Sequence, residues 1–271
     1  MKAGLYRLFS MGRKVGWHVH GYRRKVMFGM ELRFVPETEL SESIWFRYPQ
    51  LSLRQRVVVY TDYVQAHSVV SFVESLPNGP VVLELGAYHG AYAVLLGALL
   101  REKGGRLIAV EASPVNAGVL RENIALNGLE STVEVIESFV MDKDEESMAF
   151  MEQGSQSTID AAGNHQVRSE SIATLLRRQG IRRIALLLMD IEGAEVRVLP
   201  AIPWDEVEIE RIYCEMHPGE WYRFAADGTE IERVIREQSL ICLDMYLNPF
   251  ATFKANHYAG PAVLFRHADN R

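Results

Sequence analysis

A chain of 271 residues, 48% hydrophobic and 24% charged, has the composition of an ordinary globular protein with one large core. Its net charge of −6 argues against general nucleic-acid binding, which needs a basic face to displace counterions from phosphates, and it has no apolar run near the roughly 20 residues of a membrane-spanning helix. Only two cysteines occur, Cys214 and Cys242, each inside an apolar run, which excludes a disulfide scaffold and fits reduced thiols in a cytoplasmic protein.

Residues 1–29 read as a basic arm, since Lys2, Arg7, Arg13, Lys14, Arg23, Arg24 and Lys25 all precede the first acid, Glu31. Leu5, Leu8, Phe9 and Trp17 between these cations fit an interfacial helix, but packing on the domain is the expected role rather than contact with a membrane surface. Residues 30–80 read as a strand and helix cap. The stretch 30–35 alternates in strand fashion until Pro36, and a helical pattern runs from Ser52 to Leu76, ended by Pro77-Asn78-Gly79-Pro80.

From residue 81 to the end, short apolar strands alternate with helices. Strands are expected at 81–85, 107–110, 133–136, 185–190, 211–216, 241–247 and 262–266, and helices at 91–101, 114–127, 171–179 and 229–238. Ser113 and Pro114 suit the cap and first position of the second of these helices. Residues 141–168 are polar and read as a loop or hairpin insertion. The alternation predicts an α/β fold: a seven-stranded, mostly parallel sheet flanked by helices, with ligands bound outside the strands' carboxyl ends where the strand order reverses.

The motifs fall at those ends. Glu84-Leu85-Gly86-Ala87-Tyr88-His89-Gly90 links a strand to a helix, with Gly86 for the sharp turn and two positions without side chains for close ligand approach. Glu111 ends the next strand, where an acid grips ribose hydroxyls and repels a 2′-phosphate. A nicotinamide dinucleotide and S-adenosylmethionine both satisfy these two elements. Tyr88 separates them, because it stands where a dinucleotide fold needs glycine beside the pyrophosphate, and the methyl donor has no phosphate to accommodate.

Four segments carry a resemblance. Val81 to Gly90, Ala109-Val110-Glu111-Ala112-Ser113-Pro114 with Leu120 and Asn123, Asp190-Ile191-Glu192-Gly193-Ala194-Glu195, and Glu215-Met216-His217-Pro218 together resemble the FkbM-type methyltransferases, in order over about residues 30–247. The resemblance implies a class I methyltransferase (Rossmann-like) domain at 81–271 and methyl transfer, commonly to a hydroxyl oxygen. It implies a cofactor site of Glu84, Gly86, Ala87, Tyr88, Gly90, Glu111, Ala112, Ser113, Ser138, Phe139 and Asp190. In that site Glu84 lies near the donor's ammonium, Glu111 holds the ribose, and Ser138 and Phe139 flank the adenine. The chain departs from the family at Glu84, usually Asp, at Tyr88, usually Asn, and at Leu188, often Lys.

The sulfonium is already a good leaving group, so the enzyme chiefly aligns the acceptor and excludes water. A hydroxyl acceptor also needs a base within hydrogen-bond reach. His217 ranks first because an unperturbed imidazole titrates at about 6.5. Asp190, Glu215 and Glu192 follow, with Glu195 read either as a base or as a cap on the helix after Gly193. A metal is not expected here, since carboxylates alone are a nonspecific donor set. The acceptor is expected to be a small molecule, a glycan or a secondary metabolite. The rival readings are an NAD-dependent oxidoreductase and a non-catalytic nucleoside-binding protein of the same fold. His18 and His20 in the arm, and Trp45-Phe46 and Trp221-Tyr222 as pocket walls, carry less weight.

Overall fold

The computed structural model of the protein describes residues 23–27, 30–34, 67–144, 147–151, 158–159, 163, 165–244 and 260–266. Most of the arm, with His18 and His20, lies outside them, as do Trp45 and Phe46. Strand β1 (Arg23–Met27) pairs antiparallel with β2 (Met30–Phe34), so strand pairing crosses the expected boundary between arm and cap at residue 29. Leu32 and Phe34 of β2 are buried, which is why the alternation there was legible. The expected helix from Ser52 to Leu76 is described as α1 over residues 67–75.

The elements that follow appear in the expected order: β3 (Val81–Leu85), α2 (Ala91–Glu102), β4 (Arg106–Glu111), α3 (Pro114–Leu126) and β5 (Val133–Glu137). Ser113 caps α3, its Oγ accepting the Asn116 N–H at 3.2 Å, with Pro114 at the first position. Next come β6 (Phe139–Met141), β7 (Met148–Met151), β8 (Thr158–Ile159), β9 (His165–Val167) and β10 (Ser169–Ser171). The expected insertion therefore contains a small antiparallel sheet, β8-β7-β9, and its two ends lie side by side because β6 pairs parallel with β10. Strands of two to four residues show too little alternation to be read from sequence. The chain continues through α4 (Ile172–Arg178), β11 (Arg183–Met189), α5 (Glu195–Val198), β12 (Glu208–Met216), α6 (Thr229–Glu237), β13 (Leu240–Asp244) and β14 (Gly260–Arg266).

Among the described residues the largest sheet has the order β13-β14-β12-β11-β3-β4-β5. The five strands from β12 to β5 run parallel, while β14 pairs antiparallel with both β12 and β13. Successive residues of a strand face opposite sides, and both sides are covered. Leu83, Leu85, Leu187 and Met189 join one core with Leu175, Leu176, Trp221 and Ile231, under α4, α5 and α6. Val82, Leu107, Leu186 and Leu188 join the other with Val73, Leu95 and Leu120, under α1, α2 and α3. Each such fully buried leucine contributes about 1.5–3 kcal/mol. Leu188, where the family often has Lys, is one of them, so the position serves packing here. Cys214 and Cys242 are buried free thiols.

Chain order reverses between β3 and β11. From β3 the chain builds outward through β4 and β5, and from β11 it builds the other way through β12. The carboxyl ends of β3 and β11, Leu85 and Met189, are register partners at this switch point. That is where such a sheet opens a crevice for a ligand.

Candidate functional site

The turn after β3 is held from below by β4: the N–H groups of Gly86 and Ala87 both donate to the Val110 carbonyl at 3.0 Å. Gly86 has φ 83, and a Cβ there would lie 1.8 Å from the Asp190 carbonyl oxygen. At Gly90, φ 84, a Cβ would lie 2.3 Å from Leu120 Cδ1. The two glycines are thus needed for the approach of the β11 end and of α3. This corrects the expectation that their missing side chains serve ligand approach; the space is filled by the protein itself. Ala87 is buried in the same turn.

Tyr88 also takes a left-handed backbone, φ 49, and its N–H donates to Glu111 Oε2 at 2.8 Å. Its ring stacks on His89 at 3.9 Å between centroids. His89 is buried, with Nε2 3.2 Å from Asn116 Oδ1 and its carbonyl accepting from Asn123 Nδ2 at 2.8 Å. These contacts make His89 a support of the turn.

Glu111 is the hub between the two turns. Its Oε1 accepts from the Ser113 N–H at 2.9 Å and from Asn116 Nδ2 at 3.3 Å, and its Oε2 accepts from the Tyr88 N–H at 2.8 Å. Burial pushes the Glu111 carboxyl up, and these donors oppose it. Ala112 sits half-buried in the β4–α3 turn, between Glu111 and the capping Ser113. Sequence reasoning missed Asn116. A polar residue three places after a helix cap, one turn from an acid, was the available signal.

Glu84 supplies the test of fit for the cofactor. It is buried, and its Oε2 has no hydrogen-bond partner. Burial, then the charges of Glu111 and Asp190, raise its carboxyl well above the usual range. A buried orphan oxygen of this kind is costly, and an incoming ammonium group relieves it. If the donor's amino group pairs with Glu84, a proton leaves the carboxyl, and affinity for S-adenosylhomocysteine should rise with pH between the bound and free values of this group. Calorimetry in buffers of different ionisation enthalpy should show proton release in the wild type and less in Glu84→Gln. Equal heats in all buffers would remove Glu84 from the amino-group site.

On the other side of Glu111, the Ser138 N–H donates to the Glu111 carbonyl at 3.0 Å. The Ser138 hydroxyl donates to Glu170 Oε2 at 3.2 Å, and Glu170 is itself gripped by both Arg178 Nε and Nη2. Phe139 is buried in the core, edge-on to Phe150 with centroids 6.0 Å apart.

The loops after β11 and β12 bring the other expected residues together. The Asp190 N–H donates to the Leu85 carbonyl at 3.0 Å, which ties its exposed side chain to the turn after β3. Glu192 has φ 50, and Gly193, φ 102, gives way to Glu220 and Phe224, which a Cβ would meet at 2.7 and 3.0 Å. His217 Nε2 lies 3.8 Å from Asp190 Oδ1, 3.8 Å from Glu192 Oε2 and 3.9 Å from Glu215 Oε1. Its Nδ1 faces Glu195 Oε1 at 3.7 Å.

Glu195 is fully buried, and its role is structural. Its Oε1 accepts from the His217 N–H at 2.6 Å and from Trp221 Nε1 at 2.8 Å, and its Oε2 accepts from the Gly193 N–H at 2.8 Å. Burial alone would raise its carboxyl, but these donors and the His217 charge outweigh it and hold the group low. Trp221 is thereby a buried donor and no pocket wall, while Tyr222 beside it is 69% exposed.

Burial alone would push the His217 imidazole down. The facing carboxylates, Glu195 first and then Asp190 and Glu192, push it up instead, to about 10. The ranking of His217 as first base rested on an ordinary imidazole value, and the facing carboxylates instead favour the protonated ring. Burial pushes Glu192 up to about 7, with the His217 charge opposing and Asp190 adding.

No curated protein is similar enough to count as a relative. Similar solved structures include a SAM-dependent methyltransferase from Agrobacterium tumefaciens, at 12% identity and TM-score 0.44 over 93% of this chain and 72% of that one. A putative O-methyltransferase from Klebsiella pneumoniae is similar at 14% and 0.46 over 84% and 86%. The N-terminal domain of human METTL16 in complex with SAH is similar at 13% and 0.39 over 81% and 72%. None of these values bears on the chemistry. The decisive match is to the family model described as the methyltransferase FkbM domain, over residues 84–240, more than half the chain and every segment of the site just built. The chain belongs to the FkbM methyltransferase family, with the class I sheet described above and S-adenosylmethionine as its cofactor.

Proposed function

We propose that the protein transfers the methyl group to a hydroxyl oxygen of a small molecule, glycan or secondary metabolite, acting in the cytoplasm. The observation that carries this reading is the contact between the Asp190 backbone and Gly86, which sets the Asp190–Glu192–Glu215–His217 cluster beside the cofactor turn. The two buried thiols fit a reducing compartment, and among the described residues no helix is long and apolar enough to cross a membrane.

S-adenosylmethionine supplies an activated methyl: an acceptor oxygen forms the new O–C bond as the C–S bond breaks, and that electron pair stays on sulfur. The chain's own residues do the rest. Glu84 would hold the amino group and Glu111 the ribose, with the turn from Gly86 to Gly90 alongside. The hydroxyl proton leaves toward the carboxylates around His217, whose positive charge steadies them.

Titration calorimetry with S-adenosylhomocysteine and with NAD tests the donor pocket. The first should bind in the micromolar range and NAD should not. Glu111→Ala removes charge-assisted bonds worth about 3 kcal/mol in sum, which is a loss of about 100-fold. Binding of NAD, or of neither ligand, would overturn the reading. Tight binding without turnover on any hydroxyl acceptor would leave a nucleoside-binding protein.

A further inference from the structure

Three donor atoms in the cluster form a set that methyl transfer from a sulfonium does not itself require. Asp190 Oδ1, Glu192 Oε2 and His217 Nε2 each come from a loop at a strand's carboxyl end, and single ligand atoms of the three residues lie within 4.8 Å of one another. In an octahedral shell with bonds of about 2.1–2.2 Å, neighbouring donors stand about 3 Å apart and opposite ones about 4.3 Å. The observed separations of 3.8 Å need only a small inward turn, and the Asp190 side chain is exposed enough to make it.

The surroundings point the same way. Glu215 Oε1, at 3.9 Å from Nε2, adds another carboxylate on the same side of the ring. On the other side, Nδ1 faces the fully buried Glu195 at 3.7 Å, and Nδ1 has no hydrogen-bond partner. A metal-bound imidazole typically donates its second N–H to a carboxylate, which fixes the ring and strengthens it as a ligand, and Glu195 stands where it would take that bond. Glu195 is immobilised by three N–H donors, so the ring has a rigid anchor behind it.

We propose that Asp190, Glu192 and His217 form one face of a divalent-cation site, filled by Mn²⁺ or Mg²⁺, whose open positions receive the acceptor's hydroxyl oxygen. The acceptor half of this statement rests on the O-methyl-transfer reading; the cation half rests on the donor set alone. The cation takes the place of the ring's proton, as in any imidazole complex. It orients the hydroxyl toward the methyl group and eases loss of its proton, which leaves to Glu215 or to water. Two carboxylates with one imidazole suit Mn²⁺ better than the softer metals that favour thiolates.

The test is a Mn²⁺ titration of the chelator-treated, full-length protein, following the free-ion signal by electron paramagnetic resonance. Wild type, Glu192→Gln and His217→Gln are compared; far-ultraviolet circular dichroism reports that each is folded, and S-adenosylhomocysteine binding is measured separately on the same samples. One Mn²⁺ per chain is expected, with affinity reduced about tenfold or more in both variants. No Mn²⁺ binding by the wild type, or equal affinity in all three proteins, would overturn the site. The two ligands separate the two readings: S-adenosylhomocysteine binding without Mn²⁺ binding sinks only the cation. Mn²⁺ binding lost in the variants, without S-adenosylhomocysteine binding, keeps the cation site and sinks methyl transfer.

Discussion

Glu195→Ala is expected to lower the stability of the protein by about 3–5 kcal/mol, which for a chain of this size lowers the melting temperature by on the order of 10 °C. Alanine would strand three donors at once. The N–H groups of Gly193 and His217 and the indole N–H of Trp221 all end on this one carboxylate, which has no exposed surface. An unmet buried donor costs about 1–3 kcal/mol, more when the lost acceptor was charged. The variant also removes the negative charge behind His217, so the loops after β11 and β12 lose their common anchor. Glu195→Gln keeps one acceptor oxygen and should lose about half as much. Urea unfolding followed by tryptophan fluorescence measures both. A loss under about 1 kcal/mol for the alanine variant would show that the loops are held by something else.

The second large effect is expected at Gly86. An alanine there adds a Cβ that would overlap the Asp190 carbonyl oxygen, at 1.8 Å, and its carbonyl carbon, at 2.8 Å. Backbone on both sides of the clash is pinned: the Gly86 N–H to Val110 and the Asp190 N–H to Leu85. Neither strand end can retreat without breaking one of these bonds. Overpacking of this kind costs about 1–3 kcal/mol, and the left-handed conformation adds about 1–2 kcal/mol. Because the displaced atoms border the cofactor turn, S-adenosylhomocysteine affinity should fall about 100-fold or more. Gly104→Ala provides the control. Gly104 also has a left-handed φ of 61, but nothing lies within 4 Å of its added Cβ, so it should cost only about 1 kcal/mol and leave binding intact. Similar losses in the two variants would mean that backbone strain, and not the approach of β11, governs Gly86.

Much of this could be read in the chain before folding. The strands of the largest sheet and helices α2, α3, α4 and α6 announced themselves because each buries its apolar residues at the period of its own geometry, as Leu83 and Leu85 do against Val82. Ser113-Pro114 marked its helix start because the capping interaction lies within four residues. The small strands within 141–168 were invisible for the opposite reason. They are two to four residues long, and pairing with one another, rather than apolar period, makes them strands.

The site divides along the same line. Where its candidate residues would stand was legible, since Glu84, Glu111, Asp190, Glu192, Glu215 and His217 all lie at strand ends, where an α/β sheet presents its chemistry. Their states were not. His217 looked like a neutral base because its number of carboxylate neighbours depends on β11 and β12 lying side by side. Glu195 looked like a solvated helix cap because the indole and the amides that bury it come from other segments. Gly86 and Gly90 looked like openings for a ligand, yet Asp190 and Leu120, residues far along the chain, fill the space. By itself the sequence determined the strands of the largest sheet, the helices packed on it, their order and the residues at the switch point, because helix caps, turn residues and apolar periods act over a few positions. Charge states, burial and close approach were decided only by the tertiary structure, because they depend on which distant segments share a volume, and Coulomb energy, desolvation and steric overlap all follow distance in space.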